Sequence, residues 1–429
     1  MGVSKASAAT ARDQRLRLIG ATVEAVSAHG YAKVSISELV RIAGISKSAF
    51  YDHFASKDEC FLVTIDEIVR LAVERTANAY GAQTDVRAGL EAAIEATVDN
   101  AVAYTDAARL VVVDSIELGR GSLELRARIA TMLEGMLEGL FDGGTGAAPV
   151  PKLTVRAVVG GMRGVLFGFL RDRRPDRLRR HIADLAAWEL GYLEAAGSEG
   201  SHAAALVAAE RARVRPATPP AGNAPCSAWH ESPKSDSARA ALDQRERIMR
   251  AAARMTAERT YLSLSVPLIS ADAGTSNQTF YEHFRNKEAA TLAAFDALTA
   301  AAVDRSSWRL QTHDSWESAA AGSILALLEA LATDPLLAEL LFFELPSIGP
   351  HAIDHAARAL HPFNAFLQPA ALPPEATHLP PPVVVTALTY GLWAIVEQEV
   401  VEGRAAELPD LAPELLEIAL TPFGLKSSW

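Results

Sequence analysis

Cysteine is nearly absent from this chain: two residues in 429, Cys60 and Cys226, cannot make a disulfide framework and match no metal-ligand spacing. Apolar packing in a reducing compartment must hold the fold. Long apolar runs are also missing. The two best, Val158 to Leu170 and Val383 to Val396, are interrupted by Arg163 and closed by Glu397, short of the roughly 20 apolar residues of a membrane span. No membrane span is expected. Met1 to Gln14 has no apolar stretch of the kind a secretory signal needs, so a cytoplasmic location is expected. There is no glycine-rich phosphate loop, nucleophile elbow or zinc-protease helix, which argues against an enzyme and against a bound cofactor. His351, Asp354 and His355 have a helical spacing that could clip a metal, but no further ligand is in evidence, and a solvated helix start after Pro350 is the simpler reading. No metal site is assigned. An excess of positive charge is lacking as well: the net charge is -11, which taken alone discourages contact with phosphates.

What is present points elsewhere. Hydrophobic residues make up 49% and charged residues 22%, the balance of a folded chain, and 429 residues exceed what one core usually organises. Sliding the sequence on itself reveals a repeat at an offset of 230. Arg15, Arg17, Ala21, Tyr31, Ser35, Ala43, Gly44, Ser46, Phe50, Tyr51, His53, Phe54 and Lys57 recur as Arg245, Arg247, Ala251, Tyr261, Ser265, Ala273, Gly274, Ser276, Phe280, Tyr281, His283, Phe284 and Lys287. The echo continues, with Asp106 and Gly121 matched by Asp334 and Gly349, then Gly161, Leu185 and Leu190 by Gly391, Leu415 and Leu420. Residues 10 to 196 are therefore duplicated as 240 to 426. Between them, 197–238 is rich in Pro, Gly, Ala and Ser and reads as a flexible linker with a coil dimension of roughly 35 Å. Charge follows the repeat. Residues 1–60 carry eight Lys/Arg against six Asp/Glu, and 236–290 carry eight against seven; the rest is acidic, as expected if only two small heads meet nucleic acid.

Each head has the punctuation of three short helices. Leu18, Ile19, Thr22, Val23 and Val26 share one helical face, and Gly30 stands where the helix stops. Ser35 to Glu38 reads as a capping box opening a second helix to Ala43. Gly44 permits a tight turn, Ser46 can cap, and Lys47 to His53 form a third helix. Phe50 and Phe54 should face the core, leaving Lys47, Ser48, Ala49, Tyr51 and His53 outward, where phosphate and base-edge contacts in a major groove are chemically suitable. Ser56 to Glu59 is a second capping box, and Lys57 beside it could hold a backbone phosphate. In the second copy Thr260 replaces the stop glycine, Pro267 enters the second helix, and Leu268 removes the capping glutamate. Asn277, Gln278 and Thr279 there offer base-edge donors and acceptors.

The run LIGATVEAVSAHGYAKVSISELVRIAGISKSAFYDHFASKDE, and IMRAAARMTAERTYLSLSVPLISADAGTSNQTFYEHFRNKE after it, resemble the DNA-binding head of the tetracycline-repressor (TetR) family, notably in the Ala-Gly turn and the Phe-Tyr-x-His-Phe-x-x-Lys run. The resemblance implies an all-α fold of two tandem units, each a helix-turn-helix head plus a helical ligand-binding and dimerisation body. The expected divisions are a flexible N-terminus 1–14, head 15–60, body 61–196, linker 197–238, head 239–290 and body 291–429. It also implies that Lys47 to His53 and Asn277 to His283 read the major groove of a double-stranded operator, and that Lys57 or Lys287 anchors phosphate. Ser35, Ser46, Ser265 and Ser276 belong to the same candidate set.

The bodies read as amphipathic helices near Lys57 to Ala79, Val86 to Tyr104, Ala107 to Leu118, Leu123 to Phe141, Lys152 to Arg171 and Pro175 to Ala195, with the second copy following suit. Gly160, Gly164 and Gly168 recur every four residues, which suits either a close helix crossing or a wall of the ligand cavity. Tyr390, Ala394 and Gln398 replace them in copy two, making small-against-large packing between the copies feasible. Candidate pocket residues for an unknown small-molecule effector are Met162, Arg163, Phe167, Trp188, Phe342, Phe343, Tyr390, Trp393 and Glu397. The resulting expectation is a ligand-responsive repressor whose copies pair within one chain on an operator with non-identical half-sites. Two alternatives stay open: a homodimer of chains in which the second head is only a packing module, or a helical sensor or interaction protein that does not bind DNA.

Overall fold

The computed structural model describes residues 2–116, 123–142, 149–196, 201–213, 236–310, 313–367 and 380–423. Cys226, Gly121 and most of the expected linker lie outside them. Among the described residues there are helices and turns but no strand, as the all-α expectation requires. They form two compact units: 1–197 with Pro381–Gly391, and 198–380 with 392–429.

Unit 1 opens with α1 (Gly2–His29), α2 (Ile36–Ala43) and α3 (Lys47–Tyr51). Leu18, Ala21, Thr22, Ala25 and Val26 are buried, the i, i+3, i+4, i+7, i+8 stripe of a helix lying on a core. Phe50, Phe54, Cys60, Phe61 and Ile65 complete that core. Six more helices follow: α4 (Lys57–Gly81), α5 (Val86–Ala103), α6 (Thr105–Val112), α7 (Leu123–Asp142), α8 (Lys152–Arg171) and α9 (Ile182–Ala195). The last is preceded by a 3-10 stretch, Pro175–His181, where a continuous helix was expected. The expected helix over Ala107 to Leu118 begins earlier and is shorter, and its final residues fall outside the described part. The N-terminal segment expected to be flexible is helical from Gly2.

Unit 2 begins inside the expected linker, with α10 (Ser201–Ala212). Its alanine-rich sequence, AAALVAAE, hid a helix whose Ala203, Val207 and Glu210 are buried. Helices α11 (Asp236–Arg259), α12 (Val266–Asp272) and α13 (Asn277–His283) repeat the head, burying Ile248, Ala251, Ala252, Met255 and Thr256, the stripe of α1 moved by 230. Then come α14 (Lys287–Leu310) and α15 (Trp316–Thr333). The second body departs from the first after this. Short pieces α16 (Pro335–Glu339), α17 (Leu345–Ile348), α18 (Pro350–Ala359) and α19 (His361–Asn364) stand where one long helix and its lead-in were expected, with a π-helical turn at Leu340–Glu344. Pro335, Pro346, Pro350 and Pro362 each sit in a first turn, where a ring that cannot donate to the preceding turn is tolerated. Finally α20 (Pro382–Val401) divides between the units, and α21 (Ala412–Leu420) packs on α15.

Helices α8 and α20 are each 20 residues long and pass a membrane-span test of length and composition, with 50% and 44% of their apolar windows buried. The apolar runs read from the sequence were shorter because both helices extend into polar ends. Burial in tightly packed crossings marks these as interior helices: an added Cβ at Gly161 would lie 2.5 Å from the Ala387 carbonyl oxygen, and one at Gly391 2.4 Å from that of Ala157. The crossing residues are Gly161 and Gly164. Gly168, expected in the same row, has nothing within 4 Å of its missing Cβ.

Candidate nucleic-acid interface

The two heads are built by the same local physics. Gly44 (φ 64°) and Gly274 (φ 62°) turn the chain in the left-handed region, which a Cβ would oppose. Above each turn sits an arginine: Arg17 Nη1 donates to Ala43 O at 3.2 Å, and Arg247 Nη1 would lie 3.6 Å from a Cβ on Gly274. The third helices are then capped alike. Ser46 Oγ accepts from Ala49 N at 3.1 Å and Ser276 Oγ from Thr279 N at 3.0 Å, so these serines serve the helix first.

Exposure repeats residue for residue along α3 and α13. Lys47, Ser48, Tyr51 and Asp52 are exposed, Ala49 and His53 half-buried, Phe50 and Phe54 buried; Asn277, Gln278, Tyr281, Glu282, Thr279, His283, Phe280 and Phe284 match them in turn. Tyr51 and Tyr281, 57% and 59% exposed, stand edge-on to Phe50 and Phe280 with centroids 5.5 and 5.6 Å apart. A buried ring thus fixes each exposed one. Asp52 and Glu282 belong to the same ridge and were missed in the sequence; their position four or five residues beyond the first exposed side chain was the available signal. Glu282 Oε1 accepts from Gln278 Nε2 at 3.3 Å, and the Thr279 hydroxyl lies 3.0 Å from Ser276 Oγ. Asn277 has no such tether among the described contacts.

Several expected contacts are turned inward. Lys57 Nζ donates to Tyr31 O at 3.1 Å and lies 4.1 Å from the Tyr31 ring centroid. Lys287 Nζ donates to Tyr261 O and Leu264 O at 2.8 and 2.9 Å, and burial lowers its pKa. These lysines brace the head instead of presenting a free ammonium to phosphate. His53 Nε2 meets Gln14 Oε1 at 3.2 Å; burial holds the His283 imidazole below its usual range. Ser35 caps α2 by accepting from Glu38 N at 3.3 Å, but Glu38 does not close the box, pairing with His29 at 3.2 Å instead. In the second capping box Glu59 reaches past the cap to Ala55 N at 2.5 Å. Ser265 makes no side-chain cap, consistent with the Pro267 and Leu268 substitutions.

The candidate pocket residues fall in both units. Within unit 1, Trp188 covers Gly161 and the Tyr390 ring covers Gly164, while Trp188 Nε1 donates to Tyr192 Oη at 3.2 Å. Both rings fill a helix crossing. Phe167 is buried under Arg171, whose guanidinium carbon is 5.7 Å from its ring centroid; Met162 and Arg163, on the same helix, are half-buried. In unit 2, Phe342 and Trp393 meet at 5.7 Å, Phe343 is buried next to them in the π-helical turn, and Glu397 is half-buried. His351 and His355 reach Glu288 and Asp296 on α14 at 3.0 and 2.6 Å.

The family profile described as bacterial regulatory proteins, tetR family, matches residues 18–64 and again 248–294, the two segments whose geometry is given above. The chain is similar to the fatty acid metabolism regulator protein of Bacillus subtilis, 24% identical over 132 residues, which cover 31% of this chain and 66% of that protein. It is also similar to the HTH-type transcriptional activator FasR of Mycolicibacterium smegmatis, 36% identical over 89 residues, covering 20% of this chain and 41% of that one. The chain therefore spans less than two thirds of either relative. Among solved structures, FadR of Bacillus subtilis in complex with stearoyl-CoA is similar at 19% identity and a TM-score of 0.34, over 40% of this chain and 96% of that one. Two matches of one profile, spaced by the same 230 residues as the sequence repeat, show that the chain carries the tetR-family regulatory segment twice, in tandem.

Proposed function

We propose that this protein is a ligand-responsive transcriptional regulator in which both heads bind DNA and the two repeats pair within one chain on an operator with unlike half-sites. The observation that carries the DNA reading is the repeated ridge: two short capped helices, each holding an exposed tyrosine on a buried phenylalanine, with the same exposure at every position. A tyrosine that faces water at such cost in exposed ring surface has a use in contacting backbone or base edges. The ridges differ chemically. Lys47 is a donor suited to guanine, whereas Asn277 and Gln278 suit adenine, so the two half-sites should differ.

Pairing within the chain is supported by a reciprocal contact inside unit 1. Gly161 approaches Ala387, and Gly391 approaches Ala157; each residue of one pair lies 230 positions from its counterpart in the other. Residue i meeting j while j's equivalent meets i's is what a two-fold relation produces. Gly164 under Tyr390 supplies the small-against-large fit. Fatty acyl compounds are the effector class to test first, since the relative from Bacillus subtilis is named for fatty acid metabolism.

The experiment is a binding series on DNA upstream of the protein's own gene with Tyr51→Ala, Tyr281→Ala and the double variant, each with and without stearoyl-CoA. Each single variant should weaken binding by about 1–3 kcal/mol, and the double variant should lose it. Unchanged binding in the double variant would sink the DNA reading, and a panel of acyl compounds without effect on affinity would remove the proposed effector class.

A further inference from the structure

Helix α10 lies in a stretch with the composition of a linker, yet it is fastened to unit 2 along its whole length. It packs on α15 and α21, with Ala203 at 4% and Val207 at 1% exposure on its inner side. Glu210 and Arg309 are both buried. Arg309 Nη1 donates to the Glu210 carbonyl at 2.7 Å and to its carboxylate at 3.2 Å, while Nε and Nη2 each reach the Glu329 carboxylate at 3.0 Å. Arg213 closes on the other Glu210 oxygen at 3.0 Å. Toward the helix start, His202 Nε2 lies 3.0 Å from Glu317, and toward its end Arg211 donates to Pro409 O, with Asp410 at 3.5 Å. A buried pair of this kind specifies one docking geometry, because losing either partner strands a charge.

The docking site exists in one repeat only. Positions equivalent to Arg309, Glu317, Gly322 and Asp410 are Ala79, Arg87, Ala92 and Arg180. Removing the Arg309 guanidinium would take from Glu210 the donor that reaches both its carbonyl and its carboxylate, Arg87 would remove the acceptor that meets His202, and Arg180 would repel Arg211. Gly322 is required as well: a Cβ there would lie 2.7 Å from Arg309 O and from the His313 ring, so the Ala92 version could not admit this α14 end.

We propose that α10 is an intramolecular clamp, a helix belonging to the first repeat's C-terminal side that seats only on the second body and thereby commits the two bodies to pair within one chain. This rests on the intrachain pairing proposed above. The argument is one of reach. With α10 seated, four residues join Ala196 to Ser201, about 18 Å at full extension. With α10 released, the tether between Ala196 and the start of α11 grows to residues 197–235. Effective concentration falls as roughly the −3/2 power of tether length, so release should favour exchange between chains on the order of thirtyfold.

The test uses the full chain with Val207→Asp, which places a charge in the seat without touching the body's own residues, and a second variant in which 201–212 are replaced by a Gly/Ser segment of equal length. Hydrogen exchange follows residues 201–212, and sedimentation follows mass across protein concentration. The expected result is strong protection of α10 and a mass of 45.7 kDa for the unaltered protein. In both variants protection is lost and the species of twice that mass emerges at about thirtyfold lower concentration. Variants that lose protection yet keep the unaltered concentration dependence overturn the clamp and leave the pairing intact. Unprotected amides in the unaltered α10 overturn the clamp as well. An unaltered protein with protected α10 but twice the mass at every concentration overturns the pairing, and with it the clamp's role.

Discussion

Tyr51 and Tyr281 owe their exposure to a division of labour within five residues: one phenylalanine fills the core and the neighbouring ring leans on its edge. On the proposed DNA-binding role, the side chains flanking them would decide what each head reads. Lys47→Ala should relax selection in one half-site only, and Gln278→Ala in the other, each by about 1–3 kcal/mol. Glu282→Gln should broaden the second half-site, because Glu282 accepts one N–H of the Gln278 amide and so fixes the orientation of its oxygen and its remaining N–H. In-vitro selection with each variant checks this, and a change in the wrong half-site would contradict it. Strain is also localised to single residues. Gly30 and Thr260 share one backbone conformation, φ 76° with ψ 151° and φ 73° with ψ 145°, a region that only glycine occupies readily. Thr260→Gly should therefore stabilise unit 2 by about 1 kcal/mol, read as a raised urea midpoint; a lowered midpoint would mean that the threonine side chain contributes more than the strain costs.

At the scale of elements, α9 carries a buried acid. Burial pushes the Glu189 carboxyl up to about 8, far above its value in an unfolded chain. The folded state therefore holds this proton where the unfolded state has released it. Its stabilising share is complete below about pH 4.5 and is lost as pH rises toward about 8, on the order of 5 kcal/mol in all. Glu189→Gln should leave the urea midpoint near that of the parent at about pH 4.5 and raise it clearly at about pH 8.5; equal midpoints at both would contradict the burial argument. The heads were legible in the sequence because each of their elements has its own mark: the 3.6-residue stripe of α1 and α11, the capping serines, the turn glycine. Helix α10 was not, since an alanine-rich run has weak amphipathic contrast and its buried charges make sense only with Arg309 beside them. Of the glycine row expected on α8, Gly164 meets a neighbour and Gly168 does not, while Gly161 outside the row does, because spacing alone does not tell which glycines a neighbour crosses. Breaks in the second body were written in its prolines, but the repeat suggested a faithful copy. The inward turn of Lys57 and Lys287 was likewise invisible, as it depends on carbonyls 26 residues away.

For the whole molecule, the proposed function has an acidic chain of net charge -11 meet DNA through two small segments of slight positive charge, so orientation and base contacts would have to carry more of the affinity than charge does. Duplication then has a consequence that a pair of identical chains cannot reach. Two heads encoded separately can diverge, and Lys47-Ser48-Ala49 against Asn277-Gln278-Thr279 shows that they have. On the pairing proposed above, the reciprocal approaches of Gly161 to Ala387 and Gly391 to Ala157 would keep a two-fold relation suited to successive major grooves, while the reading faces have drifted apart in sequence. The most direct measurement is in-vitro selection of DNA bound by the intact chain at a concentration where its mass is 45.7 kDa. The account predicts one site with two half-sites of different sequence, about one helical turn or a multiple of it apart, and a perfect palindrome or a lone half-site would contradict it.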